Sequence, residues 1–176
     1  SFTMAPRINA AGRMGGADKA VELFLTDSCR VAGELAGELC QLNRQRQQEE
    51  NQIFQEILGR LSSQFDPQRD KSIVLWGENW HNGVVGIVAS RLADRYGVPA
   101  ILISLDGDTG KGSGRSVPGF HLYGGLEECG DLLEKYGGHE LAVGLTVQRA
   151  HLDEFKSRFE AYAAQQMEQN QVQPVL

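Results

Sequence analysis

Three short stretches constrain the topology of this chain more than any other feature. Ile73-Val74-Leu75-Trp76 is an apolar run of strand length, and Ala100-Ile101-Leu102-Ile103-Ser104 is a second. Between them, Gly83 to Tyr96 carries Val84, Val85, Ile87, Val88 and Leu92. Asn82 is its expected N-cap, Gly97 stands where a helix C-terminal glycine belongs, and Pro99 lies just beyond. Strand, helix and strand at this spacing predict a βαβ unit, two parallel strands joined by a right-handed crossover. Asp106-Gly107 opens a turn, and Lys111 to Ser116 is expected to return antiparallel. Helices are expected at His121–Cys129 and Leu132–Tyr136, a tight turn at Gly137-Gly138-His139, and a last strand over Leu145–Gln148. His151 to Met167 is amphipathic through Leu152, Phe155, Phe159 and Tyr162. The fold class that follows is α/β, a small mixed sheet with a βαβ unit flanked by helices.

A long connecting helix is expected to precede it. Ser28 to Gln64 has no proline and is rich in Leu, Ala, Glu, Gln and Arg, with Thr26 and Asp27 as N-cap candidates. One apolar stripe runs Ala32, Leu35, Ala36, Leu39, Leu42 and another Ile53, Ile57, Leu61; residues 43–52 between them are polar on every face. That pattern suits a helix bridging two domains, at ~1.5 Å per residue spanning roughly 55 Å; the edge of a helical bundle is the other reading. Residues 1–27 show no clean period apart from a short helix at Ala17–Leu25. The expected partition is therefore 1–27, 28–70, 71–168 and a frayed tail at 169–176.

With 17 Lys and Arg against 23 Asp and Glu, the net charge is -6 and the pI about 5.2, which argues against coating duplex DNA by bulk charge. A local cationic site remains compatible with that total. Cys29, Cys40 and Cys129 are widely spaced and form no CxxC pair, so they read as reduced thiols. No apolar run approaches the ~20 residues of a membrane span, and the first residues lack a signal-peptide core, so the expected location is cytoplasmic.

The segment richest in binding chemistry is Gly112-Ser113-Gly114-Arg115-Ser116, preceded by Lys111. Its glycines remove Cβ atoms so that a backbone or ligand can approach, its serines offer hydroxyls, and Arg115 offers a planar fork suited to phosphate oxygens. A glycine-rich hairpin with an exposed arginine is the structural alternative. Gly137-Gly138-His139 could form an anion nest presenting one imidazole, or His139 could be a capping residue. Trp80-His81-Asn82-Gly83 opens the βαβ helix, a natural anion site, although Trp80 more simply closes the core. His121 and His151 stand at helix starts and look structural, while the role of Arg7, Asn9 and Arg13 stays open. Nothing has metal-ligand character; Asp106 and Asp108 fall in the expected turn.

Ala5–Met14 (APRINAAGRM), Trp80–Arg91 (WHNGVVGIVASR), Gly110–Ser116 (GKGSGRS) and Gly137–Gly144 (GGHELAVG) together resemble, in order and spacing, the RecJ family of the DHH phosphoesterase superfamily. The resemblance covers residues 4–160. It implies a 5′→3′ single-stranded-DNA exonuclease of DNA repair and recombination. In such proteins a DHH domain binding two Mn²⁺ or Mg²⁺ ions is followed by a long helix and a DHH-associated domain that closes over the cleft. Residues 71–168 would be that associated domain, 28–70 the connector and 1–27 the edge of the catalytic domain. His139 is implied as catalytic, and Arg13, Gly112, Ser113, Gly114, Arg115, Ser116 and Gly138 as substrate-binding. The DHH signature is absent, so the metals would belong to a missing domain, none to this chain, which alone would be inactive. Single-stranded DNA is the implied partner, with single-strand-binding protein or a helicase beside it and no membrane. A small DHH phosphodiesterase acting on oligoribonucleotides or cyclic dinucleotides, and a non-catalytic nucleic-acid-binding module, are the alternatives.

Overall fold

The computed structural model describes residues 3–171. The chain divides into two compact units, residues 1–54 and 55–176.

The first unit holds α1 (Met4–Arg13), α2 (Ala17–Leu25) and most of α3 (Cys29–Gln64). Its small core joins Ala11, Ala20 and Leu39, with Ile8, Leu23 and Leu42 packed around them. That α1 is helical corrects the sequence reading. Its buried residues are Ala10 and Ala11, too small to register as an apolar stripe. A Cβ on Gly16 would lie 2.7 Å from Leu42 Cδ1, so this glycine lets the α1–α2 turn pack against α3. Ser28, one position beyond the expected caps, accepts from the Val31 amide at 3.4 Å. Through the polar stretch α3 runs unbroken, with Arg46 ion-paired to Glu50 one turn on.

The second unit contains the end of α3, then β1 (Ile73–Glu78), α4 (Asn82–Tyr96), β2 (Ala100–Asp106), β3 (Thr109–Arg115), α5 (Leu122–Glu128), β4 (Leu133–His139), β5 (Ala142–Gln148) and α6 (Leu152–Gln171). Sheet order is β1-β2-β3-β5-β4, with β1 and β2 parallel and every other pair antiparallel. The expected βαβ unit, the return strand and the helices expected at 121–129 and 151–167 are present. One face of the sheet packs Ile101, Ile103, Val143, Leu145 and Val147 against Phe120, Leu122 and Leu126 around α5 and Phe155 and Phe159 of α6. Burying each such side chain contributes about 1.5–3 kcal/mol. The opposite face is covered over β2 and β3 by α4, whose Val84, Val85, Val88, Ala89 and Leu92 are buried.

Three local expectations are corrected. Asn82 is the first residue of α4 and His81 is its cap, the imidazole Nδ1 accepting from the Gly83 amide at 3.1 Å. The helix expected at Leu132–Tyr136 is a single 3₁₀ turn, Gly130–Leu132, running into β4. Consequently Gly137-Gly138-His139 is strand, the tight turn falls at Glu140-Leu141, and β5 begins at Ala142. β4 is an edge strand, exposed along almost its whole length, so it lacks the apolar alternation that marks a strand. At the other end α6 continues to Gln171, while the rest of the expected tail, 172–176, lies outside the described residues.

Gly138 has φ +138°, and a Cβ there would stand 2.2 Å from Ala142 O and 2.8 Å from Val143 Cα; at Gly137 a Cβ would meet no described atom within 4 Å. Gly138→Ala is therefore expected to cost about 2–3 kcal/mol in chemical denaturation, and Gly137→Ala less than ~1 kcal/mol. Equal effects would contradict this hairpin geometry. Cys129 is fully buried, and burial pushes its thiol up to about 11, whereas Cys29 is exposed. At pH 8 an alkylating reagent should modify Cys29 rapidly and Cys129 only after unfolding, as mass spectrometry would read.

Candidate functional site

Side chains alternate along β3, and the two faces of this strand have different work. Gly110, Gly112 and Gly114 face the α5–α6 core. A Cβ on them would lie 2.6 Å from Ile103 Cγ2, 2.9 Å from Ile103 Cγ1 and 2.7 Å from Val143 Cγ2 respectively. The room that the sequence assigned to a ligand at Gly112 and Gly114 is, on that side, filled by side chains of β2 and β5.

Lys111, Ser113 and Arg115 face the other way, towards α4. A Cβ built on Gly86 of α4 would stand 3.4 Å from Ser113 Cβ and 2.9 Å from Arg115 Nη2. Arg115 also donates from Nη1 to the Gly114 carbonyl at 2.7 Å. The register carries this face outward past α4: Arg115 pairs with Ala142, and Ala142 with His139. Two motifs 24 positions apart in sequence therefore share one row, two strand spacings or roughly 10 Å apart, with only a methyl group between them. The next row is Ser113, Gly144, Gly137, and the third is Lys111, Thr146, Lys135. Rows lie about 7 Å apart.

This half of the sheet is a shallow surface with side chains at its margins and a bare centre. A Cβ on Gly144 would have the Gly112 carbonyl at 3.9 Å as its nearest described atom. His139 is exposed, and its Nδ1 accepts from the Leu141 amide at 3.3 Å. The neutral ring then carries its proton on Nε2, which suits it as a donor to an anionic oxygen. Chemically, the margins of the surface offer hydrogen-bond donors suited to anionic oxygens, charge-assisted at Arg115, Lys111 and Lys135.

Other candidates are placed elsewhere. Ser116 donates its hydroxyl to the Phe120 carbonyl at 2.7 Å and its amide to Leu141 O at 2.9 Å, closing the turn after β3. Gly138 has its Cβ side against Ala142 and Val143. Arg13 ends α1 in the first unit. Trp80 is buried, as the simpler reading held. Its Nε1 donates to Glu56 at 3.0 Å, Arg60 stands 5.5 Å over the ring, and Ser104 Oγ donates to its carbonyl. At the N-terminus of α4 three amides are taken by His81: its Nδ1 accepts from Gly83, and its carbonyl accepts from Val84 and Val85 at 2.9 and 3.2 Å. His121 caps α5, accepting from Gly124 at 3.0 Å, and His151 Nδ1 lies 3.3 Å from the Leu132 carbonyl. Among the described residues no three His, Cys, Asp or Glu side chains gather where a metal could bind. The sequence reading missed Lys135, Thr146 and Gly144, and it placed Gly137 in a turn where the structure has it in β4 opposite Gly144. The alternation of Val143, Leu145 and Val147 was the available signal, since it puts Gly144 and Thr146 on the opposite face.

Among curated proteins the chain is 39% identical to the single-stranded-DNA-specific exonuclease RecJ of Bacillus subtilis, over 99% of this chain and 22% of the relative. It is 43% identical to that of Thermus thermophilus over 93% and 23%, and 38% identical to that of Escherichia coli over 90% and 29%. The chain thus spans between about a fifth and a third of these relatives. The crystal structures of Thermus thermophilus RecJ in complex with Mg²⁺ and with Mn²⁺ each superpose with a TM-score of 0.85 at 43% identity, over 93% of this chain and 25% or 24% of theirs. The DHHA1 domain matches residues 69–165, which take in the whole sheet, α4, α5 and most of α6. On that match, and with the open face built by the same residues, the chain belongs to the DHHA1 domain family.

Proposed function

We propose that this chain is the backbone-phosphate clamp of a single-stranded-DNA exonuclease. The observation that carries the reading is the row Arg115–Ala142–His139, which sets a guanidinium at the margin of α4 and an exposed imidazole on one face of the sheet, two strand spacings apart. Arg115 presents a fork to a phosphate, the Ser113 hydroxyl donates to a second oxygen, and the His139 Nε2 proton reaches a non-bridging oxygen or the leaving oxygen. Lys111 and Lys135 receive the neighbouring phosphate as point charges. Contacts of this kind position a strand without reading its sequence, so little base preference follows.

Support comes from the RecJ relatives, which are named as single-stranded-DNA-specific exonucleases and align through α3 as well as the sheet. That alignment favours this reading over a small oligoribonucleotide or cyclic-dinucleotide phosphodiesterase. In this reading residues 71–168 are the substrate-binding domain, 28–70 the connector and 1–27 the edge of the catalytic domain, where Arg13 is a substrate-binding candidate. Gly112, Gly114 and Gly138 shape the clamp by packing, and Ser116 by closing its turn. In this reading the Mn²⁺ or Mg²⁺ ions would be held by another part of the full-length enzyme. The chain alone would bind and not cleave. Cytoplasmic location, and single-strand-binding protein or a helicase as further partners, rest on the resemblance.

The test is binding of a 5′-phosphorylated single-stranded oligonucleotide to this chain across a salt series. Arg115→Ala should weaken binding about tenfold at low salt and flatten the log–log salt slope by about 0.7, and Lys135→Gln should weaken it by about threefold. An unchanged slope in Arg115→Ala, or cleavage by the chain in Mn²⁺, would contradict the clamp.

A further inference from the structure

The segment Gly83–Val88 of α4 lies within one of the four motifs of the chain, Trp80–Arg91, to which the phosphate clamp assigns no ligand-binding residue. Val84, Val85 and Val88 are spent on the core, each 0–1% exposed. Gly86 is different, because it is a buried glycine in the interior of a 15-residue helix, where any other residue but proline would be a better helix former. What occupies the space of its missing side chain is Arg115. A Cβ on residue 86 would stand 2.9 Å from Arg115 Nη2 and 3.5 Å from Cζ, with Ser113 Cβ at 3.4 Å.

We propose that Gly86 is the positioning residue for Arg115: its missing side chain seats the guanidinium against α4 and fixes the side from which it meets a phosphate. The slot and the Nη1 bond to Gly114 O hold the fork from two directions. The nearest atom is the far end of a flexible side chain, so a methyl group at 86 is accommodated by moving the guanidinium and not the helix. The consequence for binding rests on the phosphate-clamp reading; the placement of Arg115 does not.

The experiment compares wild type, Gly86→Ala, Arg115→Ala and the double variant of this chain. It reads the melting temperature, the Arg115 Nε–Hε resonance in ¹⁵N-labelled protein, and affinity for a 5′-phosphorylated single-stranded oligonucleotide. In Gly86→Ala the melting temperature should hold or rise. The Arg115 resonance should move while the Gly110 and Gly112 amides stay in place. Affinity should fall about fivefold, and by less than about twofold when Arg115 is already alanine. An Arg115 resonance unmoved by Gly86→Ala, or losses that multiply in the double variant, would overturn the proposal. Should Gly86→Ala melt earlier, the double variant decides. Recovery of stability on removing the guanidinium supports the slot, and no recovery refutes it. If wild type binds no oligonucleotide the clamp reading fails, and the resonance still decides whether Gly86 places Arg115.

Discussion

The structure turns on the absence of side chains along the inner face of β3. Gly110, Gly112 and Gly114 leave room that Ile103, Leu145 and Val143 fill from the strands on either side. Each glycine costs roughly 0.5–1 kcal/mol against alanine in a strand interior. Overpacking a closed core costs about 1–3 kcal/mol per site, which is the larger effect and decides for glycine. The middle strand of the sheet thereby surrenders its core side to its neighbours. Only its outer side chains, Lys111, Ser113 and Arg115, remain to meet anything else.

Where those side chains lead depends on how far α4 reaches. It lies over β2 and β3, so the rows continue uncovered onto β5 and β4. There the sheet presents Gly144 and Gly137, with His139 and Lys135 at the far margin. A net charge of -6 does not oppose this, because a few cations aimed at one bare surface set the local field that an anionic strand meets. Rigidity is supplied from below. Gly138, at φ +138°, is held against Ala142 and Val143, so the imidazole beside it projects from a strand and not from a mobile loop.

Much of this was legible in the sequence, and the losses have physical causes. The βαβ unit was plain because β1 is an apolar run, β2 one buried up to Leu105, and α4 keeps a helical repeat, closed by Gly97 in the left-handed conformation. The edge strand β4 was lost because exposure on both faces removes any apolar period, and Leu132 to Tyr136 then imitates a helical turn. That error hid the register, and with it the pairing of His139 to Arg115 across Ala142. Arg115 and His139 could be named from their motifs; that they share a row could not. The glycines of GSGRS were recognised as unusual, but whether the vacant side faced a ligand or a core depends on the pleat, which a single strand sequence leaves ambiguous by one residue. Ser116 shows the same limit, since its motif suggested a phosphate donor and its hydroxyl closes a turn.

The measurement that tests the central claim most directly is a ¹H–¹⁵N chemical-shift titration of this chain with a 5′-phosphorylated single-stranded oligonucleotide. The account predicts shifts confined to the open face, at residues 111, 113, 115, 135, 137, 139, 144 and 146, with α5 and α6 silent. Shifts centred on α6 or on the N-terminus of α4, with the three rows unmoved, would contradict it.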